Sequence, residues 1–143
     1  MRRATAMGRF SVEFVVANNR DVVQAAPTAV IPEGVKHVAV SGVVDSGAAR
    51  LVLPQWVADE LQLQAEGEIL VRYADHRQEK RPQVSNVWLR LLGRHGVFSA
   101  VVEPRRTDAL IGAIVLEELD LLVDCTTQSL HPREPGGILA EIE

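Results

Sequence analysis

With a single cysteine, Cys125, this chain can form no intrachain disulfide, which agrees with a reducing compartment. No apolar window is long enough to span a membrane. A basic excess is missing too. Lys and Arg total 15 against 19 Asp and Glu, a net charge of -4, so there is no electrostatic reason to expect nucleic acid as a partner. The four histidines, His37, His76, His95 and His131, are scattered, with no Cys partner spacing and no His-Glu-x-x-His, so no metal is expected. A Gly-x-Ser-x-Gly elbow and a glycine-rich phosphate loop are both absent, which argues against a serine hydrolase and a nucleotide enzyme. Arg2 and Arg3 run into Ala-Thr-Ala-Met-Gly rather than an apolar segment. No secretory signal is expected from them, and a cytoplasmic location is. Internal repeats and low-complexity tracts are also lacking.

What the chain does have is core material. At 47% hydrophobic over 143 residues, it suffices for one core and is too short for two ordinary domains. The densest signal is Val43-Val44-Asp45-Ser46-Gly47-Ala48. The valines, preceded by Val35, Val38 and Val40, read as an interior strand, and Asp45 falls at its end. An ionised carboxylate there must find hydrogen bonds, because an unpaired buried charge is too costly to keep. Ser46 supplies a hydroxyl and Gly47 lets backbone approach closely. Turns use the same three residues, so the plainer alternative for Asp45 is a strand-end residue satisfied by backbone amides, and for Ser46 a local turn donor.

A second element lies far down the chain. Leu110-Ile111-Gly112, followed by Ile114, Val115, Leu116 and Leu119, reads as a short buried strand, a glycine hinge and one or two helical turns. Together with Leu51-Val52-Leu53-Pro54 just after Asp45, these residues resemble the retropepsin-like aspartic proteases in order, spacing and local context, over about residues 10–132. The resemblance implies an all-β fold, a single-lobe acid-protease barrel with a flap hairpin and one or two short helices. It divides the chain into a flexible segment at 1–9, the protease domain at 10–133 and a tail at 134–143.

Local patterning supplies the elements. Phe10, Val12, Phe14 and Val16 alternate with polar or small residues and predict a half-buried strand, with 1–8 loose before it. Asn18-Asn19 ends that strand. The stretch to Gly34, carrying Pro27 and Pro32, reads as a long loop with one helical turn at 21–25. Pro54 at a first helical turn, then Trp56, Val57, Leu61 and Leu63, predicts a short helix. Ile69, Val71 and Tyr73 alternate, as do Val87, Leu89 and Leu91, giving a hairpin with a charged tip over 75–82. In the family this hairpin is the flap over the bound peptide, which implicates Tyr73, Ala74, Asp75 and His76; the glycine usual at its turn is missing. A second hairpin is predicted to turn at Gly93-Arg94-His95-Gly96 and return over 97–102. Residues 119–123 and 129–132 read as closing strands, and Cys125 as a small buried hydrophobe.

The chemistry turns on a count of carboxylates. Hydrolysis by an aspartic dyad needs two carboxyls sharing one proton, one taking a proton from water while the other polarises the scissile carbonyl. Only one Asp-Ser-Gly occurs, so the resemblance implies a homodimer that brings together two copies of Asp45 about a twofold axis. It also implies that Ser46 bonds across that axis, that Leu110-Ile111-Gly112 packs beneath the loop holding Gly47 and Ala48, and that no cofactor takes part. The expected activity is that of an endopeptidase acting on peptide or protein substrates. Its rival is a non-catalytic homodimeric peptide-binding module. Asp124, at a strand end without a following Ser-Gly, is the competing carboxylate. Retroviral relatives pair an acid and an arginine at the positions of Ala49 and Ala113, so dimer affinity here must come from other contacts.

Overall fold

The computed structural model describes residues 9–25 and 34–142. The expected loose segment at 1–8 and the stretch 26–33 of the long loop lie outside these residues. The chain opens on β1 (Arg9–Asn18), whose inward side chains Phe14 and Val16 are buried as the alternation predicts. Asn18 ends it by a double role. Its carbonyl oxygen accepts the Arg20 N–H and caps α1 (Asn19–Ala25), while its amide donates to the Leu61 and Gln62 carbonyls. β2 (His37–Asp45) returns antiparallel to β1 with Asp45 opposite Arg9.

Then come β3 (Leu51–Pro54) and α2 (Gln55–Glu60), β4 (Ala65–Arg72), β5 (Gln78–Leu91) and β6 (Arg94–Glu103), β7 (Ala109–Ile111) and α3 (Ala113–Glu118). The sheet order β1-β2-β7-β3-β6-β5, with β5 also pairing β1, closes a six-stranded barrel, and β4 lies outside on β5. The fold is therefore the all-β barrel expected. Val16, Val44, Leu53, Leu89, Val102 and Ile111 fill it, each fully buried. Closure removes exposed strand edges from the barrel, which is how a small sheet protein avoids pairing with its neighbours. No helix among the described residues is long and apolar enough to cross a membrane.

Several local expectations are corrected. Pro54 lies at the end of β3 as the N-cap of α2 rather than inside its first turn; lacking an N–H, it leaves no donor unmet there. The first hairpin turns over 73–77, and residues 78–82, expected in the tip, belong to the 14-residue β5. The second turns at Leu92-Gly93, both left-handed at φ 53° and 77°, as a two-residue hairpin loop requires. Gly96 is inside β6, where a Cβ would stand 2.9 Å from the Phe98 ring. It is a packing glycine.

The last strands, β8 (Leu121–Asp124) and β9 (Ser129–Pro132), form a ribbon of their own rather than closing the barrel. Cys125 sits in its turn and is exposed, not buried. The ribbon is fastened by Arg94, whose guanidinium is largely buried and donates to the carbonyls of Leu119, Asp120 and Glu134. Beyond the ribbon the chain stays attached, since Asp120 accepts from Arg133 and from the Leu139 N–H.

Candidate active site

Asp45 is the last residue of β2, where the strand leaves the barrel. One carboxylate oxygen accepts the Gly47 N–H at 3.0 Å; the other accepts from the Arg9 guanidinium at 2.7 Å. Its backbone carbonyl accepts the Ala48 N–H at 3.1 Å, closing the turn. The need for hydrogen bonds at this position is thus met by an amide and a cation. Ser46 and Gly47 are exposed, and the Ser46 hydroxyl makes no hydrogen bond within the described residues.

The loop is buttressed from behind. β7 lies between β2 and β3, parallel to the first, with Leu110 opposite Val43 and Ile111 opposite Val44, and antiparallel to the second, with Leu110 opposite Val52. The chain after Asp45 therefore runs out around β7 and back. Gly112 follows at the point of closest approach. A Cβ there would stand 2.7 Å from the Ala49 carbonyl carbon and the Arg50 oxygen and 2.8 Å from the Ala48 oxygen. Only glycine fits. The first two residues of α3 then donate to the loop, Ala113 N–H to the Ala48 carbonyl at 2.8 Å and Ile114 N–H to that of Ala49 at 2.9 Å. Helix-start donors that have no partner within the helix are satisfied in this way, and the loop's conformation is set by the same bonds. Ala48, Leu110, Ile111 and Gly112, widely separated in sequence, meet here.

One cavity opens beside the loop, and a second adjoins it. The first, about 290 Å³, runs from Ala48, Ala49 and Arg50 across Val52 and Leu110 to Ile69, Val71 and Arg72 of β4. The second, about 340 Å³, shares Val52, Val71 and Glu103 with it and continues to Tyr73, Arg77 and Arg81. At its floor the Tyr73 hydroxyl donates to Glu103 at 2.6 Å, and the Arg81 Nε donates to both the Tyr73 oxygen and Glu103 at 3.0 Å. Burial, then the bond to Glu103, raises the Tyr73 pKa, while the bond to Glu103 raises that of Arg81.

Of the expected flap residues, Tyr73 lines the second cavity, whereas Ala74, Asp75 and His76 form the exposed turn. The turn is closed by His76 N–H to the Tyr73 carbonyl and Tyr73 N–H to that of Arg77, both 2.9 Å. His76 stands at φ 69°, the left-handed position of a three-residue hairpin loop. Histidine is among the residues that enter this region most readily, so the turn forms without the glycine.

Sequence reasoning missed Arg9, Arg81 and Glu103. Arg9 carried a weak signal, since its strand had to pair somewhere near Asp45; the other two carried none. Asp124 accepts the N–H groups of Thr126 and Thr127 in the β8–β9 turn. The bonds from Thr127, chiefly its N–H, hold its pKa below the ordinary carboxylate value. Among the described residues no group of three or more His, Cys, Asp or Glu is gathered for a metal ion.

A family model described as aspartyl protease, of the retropepsin-like clan, matches residues 28–115, more than half of the chain. The matched span contains Asp45, the β4–β5 hairpin and Gly112. No curated protein matches the chain.

Proposed function

We propose that this chain, which belongs to the aspartyl protease family, is an endopeptidase that works as a homodimer, with Asp45 of each copy supplying half of the dyad. The observation that carries the reading is the Asp45 loop itself. It holds one carboxylate on an exposed turn, clamped from behind by Gly112 and the start of α3. One chain supplies one such loop, and dyad chemistry requires two carboxyls in a site closed to bulk water. A second copy provides both the carboxyl and the cover. The free Ser46 hydroxyl is available to bond across the contact.

In the dimer, the ionised Asp45 takes a proton from a water molecule as its oxygen attacks the scissile carbonyl carbon. The protonated partner carboxyl donates to the carbonyl oxygen and gives up its proton to the tetrahedral intermediate. On collapse the C–N bond breaks, the amine leaves protonated, and one shared proton remains on the pair. β4 lines the groove that begins at Ala48, which supports reading its hairpin with β5 as the cover over an extended peptide. We place this activity in the cytoplasm.

The test is cleavage of an unstructured polypeptide by wild type and by Asp45→Asn, with both proteins shown to fold. Asp45→Asn should lower the rate by about 10³-fold or more, as loss of the acid–base group does. Excess Asp45→Asn chains added to wild type should suppress activity through mixed dimers. Undiminished cleavage by Asp45→Asn would move the chemistry elsewhere. Cleavage by wild type that excess variant leaves untouched would overturn the shared site.

A further inference from the structure

Arginines cluster on one part of this molecule, although several of them are paired with acids. The chain is net negative, with 15 Lys and Arg against 19 Asp and Glu, yet six arginines line the cavity beside the Asp45 loop and the one adjoining it. Arg50 and Arg72 border the first, and Arg77, Arg81, Arg105 and Arg106 the second. Among the described residues the one acid lining them is Glu103, whose carboxylate is taken up by Tyr73 and Arg81, while Asp75, Glu79 and Asp108 pair with the arginines from outside the lining.

We propose that the second cavity is a subsite for a carboxylate side chain, and that the groove selects acidic peptides. The inference rests on the protease reading for the statement that the bound peptide is also cut. Arg105 is exposed and has no ion pair among the described residues. Arg77 lies over the Tyr73 ring at 4.5 Å, its guanidinium oriented by the aromatic face. Its contacts to Glu79 at 3.4 Å and Asp75 at 3.7 Å are exposed pairs of the kind that exchange at little cost. Arg106 is held by Asp108 at 3.1 Å and Arg81 by Glu103 at 3.0 Å, so these two stay in place as the rim and floor of the site. An incoming carboxylate meets Arg105, which has no ion pair among the described residues, and Arg77, whose exposed pairs it can displace.

The walls decide between kinds of anion. Val52 and Val71 face the same cavity and suit the methylenes of a glutamate side chain. A peptide lying extended beneath the hairpin turns alternate side chains to one face, so a residue near the scissile bond reaches this cavity while its backbone passes the Asp45 loop. A polynucleotide needs open stacking platforms, but the Tyr73 ring that lines this cavity carries Arg77 on its face and its neighbours are valines, on a molecule whose net charge repels nucleic acid.

The test uses full-length Asp45→Asn, two short unstructured peptides differing only by Glu for Gln on either side of an apolar centre, and anisotropy with an uncharged dye. The Glu peptide should bind about tenfold or more tightly, the scale of a charge-assisted contact. The preference should shrink toward unity in about 0.5 M salt and in Arg77→Gln/Arg105→Gln on the same background, with folding checked by melting temperature. Equal affinities, no binding of either peptide, a preference untouched by the two substitutions, or tighter binding of a single-stranded oligonucleotide would overturn the subsite. Cleavage separates the two readings. A Glu preference without cleavage by the wild type removes the protease and keeps the subsite, whereas equal kcat/KM for both peptides keeps the protease and removes the subsite.

Discussion

Arg9 and Asp45 stand opposite each other across the β1–β2 ladder, and the guanidinium reaches the carboxylate at 2.7 Å. The Arg9 side chain is 58% exposed, so the pair contributes at most about 1 kcal/mol. It nonetheless occupies one of the two oxygens through which Asp45 would meet a second carboxyl. In the dimer proposed above, the partner's carboxyl would compete with this arginine for that oxygen.

Removing that competitor should therefore help the dimer. Arg9→Gln is expected to raise specific activity up to about fivefold at low enzyme concentration, with the gain vanishing once dimers are saturated. Activity measured against concentration checks it. A fall at every concentration would show that Arg9 works for the site rather than against it.

Gly112 and Gly47 should respond differently to the same added methyl group. At Gly112 a Cβ meets backbone at 2.7 Å, and backbone cannot turn aside; at Gly47 its nearest neighbour is an Asp45 oxygen at 3.4 Å. Gly112→Ala should cost about 1–3 kcal/mol and displace the loop, lowering both melting temperature and kcat. Gly47→Ala should melt within a few degrees of wild type. Equal melting temperatures for the two variants would mean that the loop yields freely.

Acid should loosen the C-terminal segment first. The bond from Arg133, reinforced by the Leu139 N–H, holds the Asp120 pKa below the ordinary value of 3.8. A depressed folded-state pKa adds stability that is complete above the unfolded value and lost as pH falls through the folded one. The loss thus lies below about pH 4. Asp120 has φ 58°, a conformation asparagine tolerates, so Asp120→Asn should fold. Urea midpoints from neutral pH to about pH 2.5 should fall more steeply for wild type than for Asp120→Asn. Parallel curves would remove Asp120 from the acid response.

The Tyr73 hydroxyl ties the base of the β4–β5 hairpin to β6 through Glu103. Tyr73→Phe should cost about 1 kcal/mol, and amide exchange at Tyr73 and His76, whose N–H groups close the turn, should quicken. Unchanged exchange would show that the turn is held by its own two hydrogen bonds alone.

Strand alternation, the Asp45-Ser46-Gly47 turn and the Leu110-Ile111-Gly112 element were legible because each is written in neighbouring residues. A period of two places Phe14 and Val16 on one face whatever lies across from them, and a strand that ends on Asp-Ser-Gly turns there in almost any setting. Glycines were harder. Gly93 and Gly96 look alike in sequence, but one supplies a positive φ in a turn and the other makes room for Phe98 inside a strand. Cys125 was misplaced for the same reason, since burial depends on where the β8–β9 ribbon lies and not on the residue's polarity.

The sequence by itself thus determined a small β-rich domain with one carboxylate on a glycine-bearing turn, because hydrophobic period and turn chemistry act over a few residues. Only the tertiary structure decided what surrounds that carboxylate. Arg9 reaches it from 36 residues away, Gly112 supports its loop from the end of the neighbouring β7, and six arginines from three stretches of chain line the two adjoining cavities. Contacts of this kind arise from barrel closure, which sets distant strands side by side, and strand pairing leaves no local pattern from which its partner can be read.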